Sequence, residues 1–223
     1  MRINIDKDSI RFLLLMILID LVFIFCHIFF NYTAVISDPL MSLKQDRGYA
    51  EIYQYIKEFW LVILIIILAF RFASVHLISW GLLFFYFLVD DSFRLHERLG
   101  SFIVESLNFT GKFGIRGQDL GELSVSAISG VIIFSLIGIS YLKSHSEIKK
   151  IARYLLCLTA LLLSFGIVLD VIDSNLKSEY LKDILDIVED SGEMISMSLL
   201  VWYVFAVSSN KEHDPDFLAK YIG

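Results

Sequence analysis

The sequence predicts an all-α protein, a polytopic bundle of about six helices that cross a membrane. Three observations support this prediction: 57% of the residues are hydrophobic, the mean hydropathy is +0.68, and long apolar runs recur along the chain. Soluble domains are ordinarily ~45–50% apolar. The hydrocarbon core of a bilayer is ~30 Å thick, so a helix that crosses it needs roughly 20 apolar residues.

Six apolar runs account for the predicted helices. The first run follows basic residues but has no small-residue cleavage site, so we interpret it as a retained helix rather than a signal peptide. The second and third runs are separated only by Arg71, which predicts a tight helical hairpin or, as the alternative, one long bent segment. Both prolines, Pro39 and Pro215, fall in predicted loops and interrupt no helix. Within a single membrane domain, 1–223, the predicted helices are 12–34, 53–70, 72–94, 120–142, 152–173 and 184–207, followed by a short tail, 208–223.

The positions of lysine and arginine predict the orientation in the membrane. An even number of helices puts both termini on one side, together with the densest basic cluster, Lys143 to Arg153. We therefore expect cytoplasmic termini. The net charge of −6 disfavours a nucleic acid as a direct partner.

Acidic residues concentrate where the third helix ends, where the fifth ends and where the sixth begins. In a six-helix arrangement these three ends reach the same membrane face, which is the outer face when the termini are cytoplasmic. An ionised carboxylate in contact with lipid costs several kcal/mol, so such residues ordinarily face the bundle interior or an aqueous cavity. We predict one acidic cluster near the outer face, formed by Asp90, Asp91, His96, Glu97, Asp170, Asp173, Glu189, Asp190 and Glu193.

Helical spacing predicts the direction of several of these side chains. At ~100° per residue, Asp90 and Glu97 return to within about 20° of each other on a continuous third helix. In the sixth helix, an acidic stripe follows an i, i+3, i+7, i+10 course at Asp183, Asp186, Asp190 and Glu193.

Two interpretations of the cluster stay open, with a catalytic role as a third. In the first, Arg94 and Arg98 pair with Asp170 or Glu193 and lock the helices together through salt bridges. In the second, the carboxylates bind a cation or carry protons. Carboxylates suit an oxygen-preferring divalent cation, with His96 as the single nitrogen donor.

The sequence lacks the common catalytic motifs. It contains no G-x-S-x-G, G-x-x-x-x-G-K or H-E-x-x-H, the signatures of many hydrolases, nucleotide-binding proteins and metalloproteases. Catalytic zinc ordinarily takes two or three histidines, whereas only His96 lies among the acids. The Glu-x-x-His pairs of di-iron bundles are also missing from the sequence. The sequence assigns no catalytic residue, and we lean towards a protein that is not an enzyme.

A second polar feature lies inside the first helix. Asp20 and His27 are seven residues apart and share a face near mid-membrane. They form either a proton relay or a buried pair that bonds to neighbouring helices.

A glycine-rich stretch runs from Ser101 to Gly121 on the acidic side. It is predicted to be flexible and amphipathic. Its role is that of a lid over the carboxylates, a partner-contact loop or a plain connector.

Two short motifs carry a resemblance. The segment from Asp90 to Glu97 has the pattern D-[DE]-x4-H-E, and the segment from Glu189 to Met194 has the pattern E-[DE]-x2-E-M. Both resemble features of poorly characterised bacterial multi-spanning membrane proteins. The resemblance implies that the two acidic helices form one site, and that the protein lies in a bacterial inner membrane.

Two functions follow as hypotheses. The first is cation binding or conduction, with Asp90, Glu97, Asp170, Asp190 and Glu193 as ligands. The second is an oligomeric membrane scaffold or sensor, such as a subunit of an envelope-stress or anti-phage defence complex. In the second, the carboxylates serve as interhelical salt bridges, and the expected partners are further copies of the chain and a soluble cytoplasmic protein docked on the charged tail.

Overall fold

A computed structural model describes residues 6–107, 117–169, 172, 176 and 178–209. Within these residues the chain forms seven α-helices and no β-strand. This confirms the predicted all-α class. The helices are α1 (Lys7–Tyr32), α2 (Tyr49–Arg71), α3 (Val75–Phe93), α4 (Leu95–Leu107), α5 (Gly117–Leu142), α6 (Ser146–Leu163) and α7 (Glu179–Ser209).

Six helical segments of the described chain are long and apolar enough to cross a membrane, in agreement with the predicted count. The segment formed by α6 includes the π-helical turn Ser164–Leu169, and α4 is an additional short helix. The six segments are Lys7–Tyr32, Tyr49–Arg71, Val75–Phe93, Leu120–Leu142, Ser146–Leu169 and Glu179–Ser209.

The bundle is organised around α7, which packs against α1, α2 and α6. Its apolar segment is 61% buried, against 17% for α1 and for α5. Burial of apolar side chains between α2, α3 and α7 provides the main packing energy. The core contains Leu61, Ile65, Leu68, Trp80, Phe84, Leu200, Val201 and Val204.

The ends of the first helices follow from local chemistry. Asp6 precedes α1 and accepts a hydrogen bond from the backbone N–H of Ser9 at 2.7 Å, which satisfies one free amide of the first turn. The predicted tight hairpin between α2 and α3 is present, and Ala73 turns it with a φ of 45°. Helices α1 and α3 therefore end, and α2 and α7 begin, at one end of the bundle, which we call the acidic end.

The third helix stops earlier than a continuous helix through Glu97 would. Arg94 adopts a left-handed conformation with a φ of 52°, which breaks the chain into α3 and α4. Asp90 accepts a hydrogen bond from the backbone N–H of His96 at 2.8 Å across the break. The expectation that Asp90 and Glu97 share one helix face is therefore wrong, because they lie on different helices.

Much of the glycine-rich stretch is helical rather than loop. It comprises the end of α4 and the start of α5, and residues 108–116 between them lie outside the described part. A Cβ on Gly100 would lie 2.7 Å from the backbone nitrogen of Glu122, and one on Gly121 would lie 2.6 Å from the carbonyl oxygen of Gly100. The two glycines thus permit backbone contact between α4 and α5.

Candidate functional site

A cavity of about 360 Å³ opens at the acidic end. Its walls are the segment between α1 and α2, the first turns of α2, the junction of α3 and α4, and the middle of α7. Three basic side chains line it, namely Lys44, Arg94 and His96. Six acidic side chains line it, namely Asp46, Glu51, Asp91, Glu97, Asp190 and Glu193.

Ion pairs connect segments on one side of the cavity opening, which we call the rim. The ammonium of Lys44 lies 2.5 Å from Asp186 Oδ2 and 3.0 Å from Asp183 Oδ1, so it links the α1–α2 segment to α7. Partial burial disfavours the charged form of Lys44. The hydrogen bonds to Asp186 and Asp183 outweigh this effect and raise the pKa of Lys44 above its ordinary value.

Arg94 forms ion pairs on the other side of the rim. Its guanidinium lies 2.5 Å from Asp46 Oδ2 and 3.6 Å from Glu97 Oε2. The hydrogen bond to Asp46 and the charge of Glu97 raise the pKa of Arg94. Both rim cations are thus already matched by rim carboxylates.

Glu51 is also satisfied by the protein itself. Its carboxylate accepts hydrogen bonds from the backbone N–H of Arg47 and from the hydroxyl of Tyr55. The same hydroxyl lies 3.2 Å from the carbonyl oxygen of Asp91. Tyr55 thereby joins α2 to the end of α3 at the cavity wall.

Behind the cavity wall at Asp91 lies a second, buried carboxyl group, that of Glu58. Glu58 is only 1% exposed, and its side chain is within hydrogen-bonding distance of Asp91, which lines the cavity. The charge of Glu193 also acts on Glu58. The buried Oε2 of Glu58 meets no N–H or O–H donor in the described part of the chain.

A second acceptor without a donor lies one helical turn away. The buried Oε1 of Gln54 has no hydrogen-bond partner among the described residues, and Gln54 lines the cavity. Gln54 and Glu58 are separated by four positions on α2 and therefore share a face. Gln54 lines the cavity and Glu58 does not, and the two oxygen atoms are buried in the protein.

A fully buried ion pair lies beneath the floor. Lys57 Nζ is 3.0 Å from Asp20 Oδ1, and neither side chain is exposed. Lys57 also donates to the carbonyl of Met194 at 2.8 Å and to the hydroxyl of Ser198 at 3.4 Å. The Ser198 hydroxyl donates in turn to Asp20 Oδ2 at 2.5 Å. These contacts connect α1, α2 and α7.

His27 is held separately from Asp20. The backbone N–H of Leu43 donates to His27 Nδ1 at 3.0 Å, and the Ser42 hydroxyl lies 3.2 Å from the same atom. Asn31 lies 2.9 Å from Nε2. Both polar residues of α1 therefore bond to neighbouring segments, which matches the second of the two sequence-based interpretations.

Asp90 faces His96 and lies behind the cavity wall. Its Oδ2 is 3.0 Å from His96 Nδ1, in addition to the bond with the His96 backbone N–H. The hydrogen bond to Asp90 raises the pKa of the His96 imidazole, against the opposing effect of burial. Asp90 thus fixes the start of α4.

Glycines place Glu193 beside α6. A Cβ on Gly166, in the π-helical turn, would lie 2.0 Å from Glu193 Oε1, so the carboxylate occupies the space that a side chain would fill. A Cβ on Gly192 would lie 2.2 Å from the ring of Phe165. π-Helical turns of this kind occur often at functional sites.

The cavity gathers five of the nine predicted cluster residues: Asp91, His96, Glu97, Asp190 and Glu193. Glu189 lies on α7 and does not line it. Asp170 and Asp173 fall outside the described residues. In the described part, no three His, Cys, Asp or Glu side chains are grouped so as to hold a metal ion.

The two predicted arginines differ. Arg94 pairs with Asp46 and Glu97 at the rim, as described above. The side chain of Arg98 is exposed, and its backbone N–H donates to the carbonyl of Arg94 at 3.1 Å.

Three polar residues of α2 beside the cavity, Gln54, Lys57 and Glu58, were not predicted as part of the site. Lys57 and Glu58 lie within the apolar run that predicts α2, and Gln54 precedes them by one turn. Charges inside an apolar run are costly unless they face partners, so their position was itself a signal. Lys44 and Asp46 lie in a segment with no periodic pattern, and nothing in the sequence pairs them with α7 or α4.

Comparison with known proteins gives a family match. The model of a family described as a domain of unknown function (DUF8692) matches residues 12–208, a range that includes every residue lining the cavity. No curated protein and no solved structure matches the chain.

Proposed function

This chain belongs to the DUF8692 family, and we propose that it is a multi-pass membrane protein that binds a cation in the cavity at its acidic end. The observation that carries the proposal is the excess of acidic side chains in the cavity lining, six against three basic ones, of which Lys44 and Arg94 are already paired. The setting we propose is a bacterial inner membrane with cytoplasmic termini, which puts the cavity on the outer side.

The carboxyl pair supports a cation for an electrostatic reason. Two carboxylates in contact repel each other strongly when burial removes water, so the pair is stable only when a positive charge or a proton reduces its charge. Lys57, the nearest cation on α2, already pairs with Asp20. A ligand that enters from the cavity reaches Asp91 directly, because Asp91 lines it.

The distribution of charge around the cavity agrees with this proposal. The two rim cations, Lys44 and Arg94, are paired with rim carboxylates. The inner acidic residues Asp91, Asp190 and Glu193 face the same space. A cavity lined mainly by one sign of charge concentrates ligands of the opposite sign.

The packing beneath the floor favours binding over conduction. Beyond the pair formed by Lys57 and Asp20, the interior is filled by fully buried apolar side chains of α2 and α7. A permeation path needs polar groups or water along its length. The apolar layer contains Leu61, Ile65, Leu200 and Val204.

The test is thermal unfolding of the full chain in a non-ionic detergent with a panel of inorganic and organic cations. We expect at least one cation to raise the unfolding midpoint in a saturable way. Glu58→Gln and Asp91→Asn should abolish or strongly weaken the shift. Glu105→Gln is the matched control, because Glu105 is exposed on α4 at the same end and does not line the cavity.

Two results would reject the proposal. One is the absence of any saturable shift with the whole panel. The other is an equal shift in the wild type, Glu58→Gln and Asp91→Asn, since binding would then not depend on the cavity floor.

A second function, an oligomeric scaffold or sensor, is supported by a different observation. Carboxylates of Asp20 and Asp186 form ion pairs between segments of the bundle, with Lys57 and Lys44. In this proposal the acidic residues stabilise a platform for further copies of the chain or for a soluble partner of an envelope-stress or anti-phage complex. A monodisperse monomer of the full chain in detergent, with no co-purifying protein, would reject it.

A further inference from the structure

We propose that His27 is a pH-sensitive switch: its neutral imidazole holds the α1–α2 segment against α1, and a proton on Nδ1 releases that segment. The inference concerns access to the cavity, whichever ligand binds there, so it goes beyond the proposed function. Three observations support it: the hydrogen bonds of the imidazole, its burial, and the position of Leu43 and Lys44 in the cavity wall.

The hydrogen bonds of His27 require a neutral imidazole. The backbone N–H of Leu43 donates to Nδ1 at 3.0 Å. A ring nitrogen accepts such a bond only through a free lone pair, whereas both ring nitrogens of an imidazolium are donors. The ring proton of the neutral form is then on Nε2, which lies 2.9 Å from the side-chain amide of Asn31. A proton on Nδ1 therefore breaks the bond to Leu43 and leaves two N–H groups facing each other.

Burial makes that conflict costly while the segment stays in place. His27 is 0% exposed, and Ser42 and Leu43 are each 8% exposed, so bulk water does not replace the lost partner. A buried polar group without a partner costs ~1–3 kcal/mol, and a charged group costs more. Even when the Ser42 hydroxyl, 3.2 Å from Nδ1, accepts the new proton, the Leu43 amide is left without its acceptor. Protonation is therefore favourable after the segment has moved and exposed the ring.

Charged groups on two other elements act on the same imidazole. Lys44, on the α1–α2 segment, opposes a second positive charge at His27, whereas Asp183 and Asp186 on α7 favour one. Lys44 is itself paired with both carboxylates. The segment thus has two attachments, one to α1 through His27 and one to α7 through Lys44. The first depends on a histidine, the side chain that ordinarily titrates near neutral pH.

The residues held by His27 form part of the cavity wall. Leu43 and Lys44 line the cavity. Leu43 also packs with Ala50 and Met194, which line the cavity from α2 and α7. Displacement of Leu43 therefore removes one residue of the wall and uncovers the apolar contact behind it. We expect acidification to widen the cavity on the side of the α1–α2 segment.

The size of the effect follows from the linkage between proton binding and release. The closed segment excludes the proton, so its stability is fully present at high pH and is lost as the pH falls. An exposed imidazole titrates with the ordinary histidine pKa of about 6.5, so the ratio of released to closed form rises about tenfold between pH 7.5 and pH 5.5.

The experiment is amide hydrogen exchange of the full chain in detergent at pH 7.5 and pH 5.5, corrected for the intrinsic effect of pH on exchange. We expect protection at residues 38–48 to fall about tenfold at the lower pH in the wild type. His27→Asn offers an oxygen acceptor to the Leu43 amide but does not titrate, so its protection should stay nearly constant. His145→Asn is the matched control, because His145 is exposed and precedes α6, and it should behave as the wild type.

Two results would overturn the inference. One is a protection in the wild type that does not change between the two pH values. The other is an equal change in His27→Asn, since the titrating group would then lie elsewhere, such as at Asp183 or Asp186. None of these measurements involves a cation, so either result leaves the proposed function standing.

A second variant tests the donor side of the bond and does not depend on a change in α1. Leu43→Pro removes the backbone N–H that His27 accepts. Exchange at residues 44–48 should then be fast at both pH values. A wild-type dependence on pH in Leu43→Pro would also overturn the inference, because the switch would not act through this hydrogen bond.

Discussion

Lys57 Nζ and Asp20 Oδ1 lie 3.0 Å apart in the interior of the bundle, and neither side chain is exposed. Residues of α7 form further hydrogen bonds with both groups. Lys57 donates to the carbonyl of Met194, and the hydroxyl of Ser198 donates to Asp20. The pair therefore holds three helices together directly beneath the cavity floor.

Removal of either partner should destabilise the protein strongly. Asp20→Leu and Lys57→Met each leave a buried charge without its counter-ion, and we expect a loss of about 3–5 kcal/mol in the free energy of unfolding. The double variant Asp20→Leu, Lys57→Met should recover much of this loss, because the remaining interior is apolar. Chemical unfolding of the four proteins in one detergent measures the coupling as a double-mutant cycle.

The matched control is Asp8→Asn, which breaks the pair between Asp8 and Arg11. That pair is 79% and 75% exposed, so its loss should cause no measurable change. Single variants of Lys57 and Asp20 that are as stable as Asp8→Asn would show that the buried ion pair does not hold the bundle together.

The stability of the junction between α3 and α4 should depend on pH. The hydrogen bond to Asp90 raises the pKa of His96 from its ordinary 6.5. A raised pKa in the folded state means that the contribution to stability is fully present below about pH 6.5 and is lost as the pH rises through the raised value. The excess stability of the wild type over His96→Gln should therefore be largest near pH 6 and decrease towards pH 9. A difference that does not vary with pH would contradict the assigned contact.

The architecture was predictable because its signal lies in local composition. Apolar runs long enough to cross a bilayer identify helices one at a time, and the described part of the chain contains six such helices. The break at Arg94 was not predictable in the same way, because it depends on the Asp90 carboxylate, which accepts a hydrogen bond from the backbone N–H of His96 and contacts the His96 imidazole. Helix length follows from composition, whereas helix ends depend on the contacts of individual side chains.

The cavity was only partly predictable for a related reason. Asp91, Asp190 and Glu193 are visible as acids at helix ends, and the structure brings them to one space. Gln54 and Glu58 lie on α2, and nothing in the sequence shows that this helix faces the acidic end of α3. The charges of the residues and their helical periodicity are visible in the sequence. The packing of α2 against α3 and α7 determines which helix faces each carboxylate.

The rim should respond to salt. Lys44 joins the α1–α2 segment to α7 through Asp186 and Asp183, and these side chains are between 31% and 59% exposed. Partly exposed pairs contribute ~0.2–1 kcal/mol and are screened by ions. Lys44→Gln should accelerate hydrogen exchange of the backbone at residues 38–48. A rise to about 0.5 M salt should have a similar effect on the wild type but little on the variant.

The control for the rim is Arg11→Gln, which removes an exposed pair at the far end of α1. It should leave exchange at residues 38–48 unchanged. If Lys44→Gln also leaves that exchange unchanged, the two ion pairs do not restrain the segment.

Gly166→Ala should separate ligand binding from stability. The new methyl group would overlap the position of Glu193 Oε1, and the carboxylate is the end of a flexible side chain that can move away at small cost. We therefore expect weaker cation binding with an unfolding midpoint close to that of the wild type.

Gly192→Ala should instead lower the midpoint, because its methyl group meets the ring of Phe165 within a packed interface. Gly138→Ala is the matched control, since a Cβ there meets nothing within 4 Å, and it should leave binding unchanged. Equal binding by Gly166→Ala and Gly138→Ala would show that the position of the Glu193 carboxylate does not matter to the site.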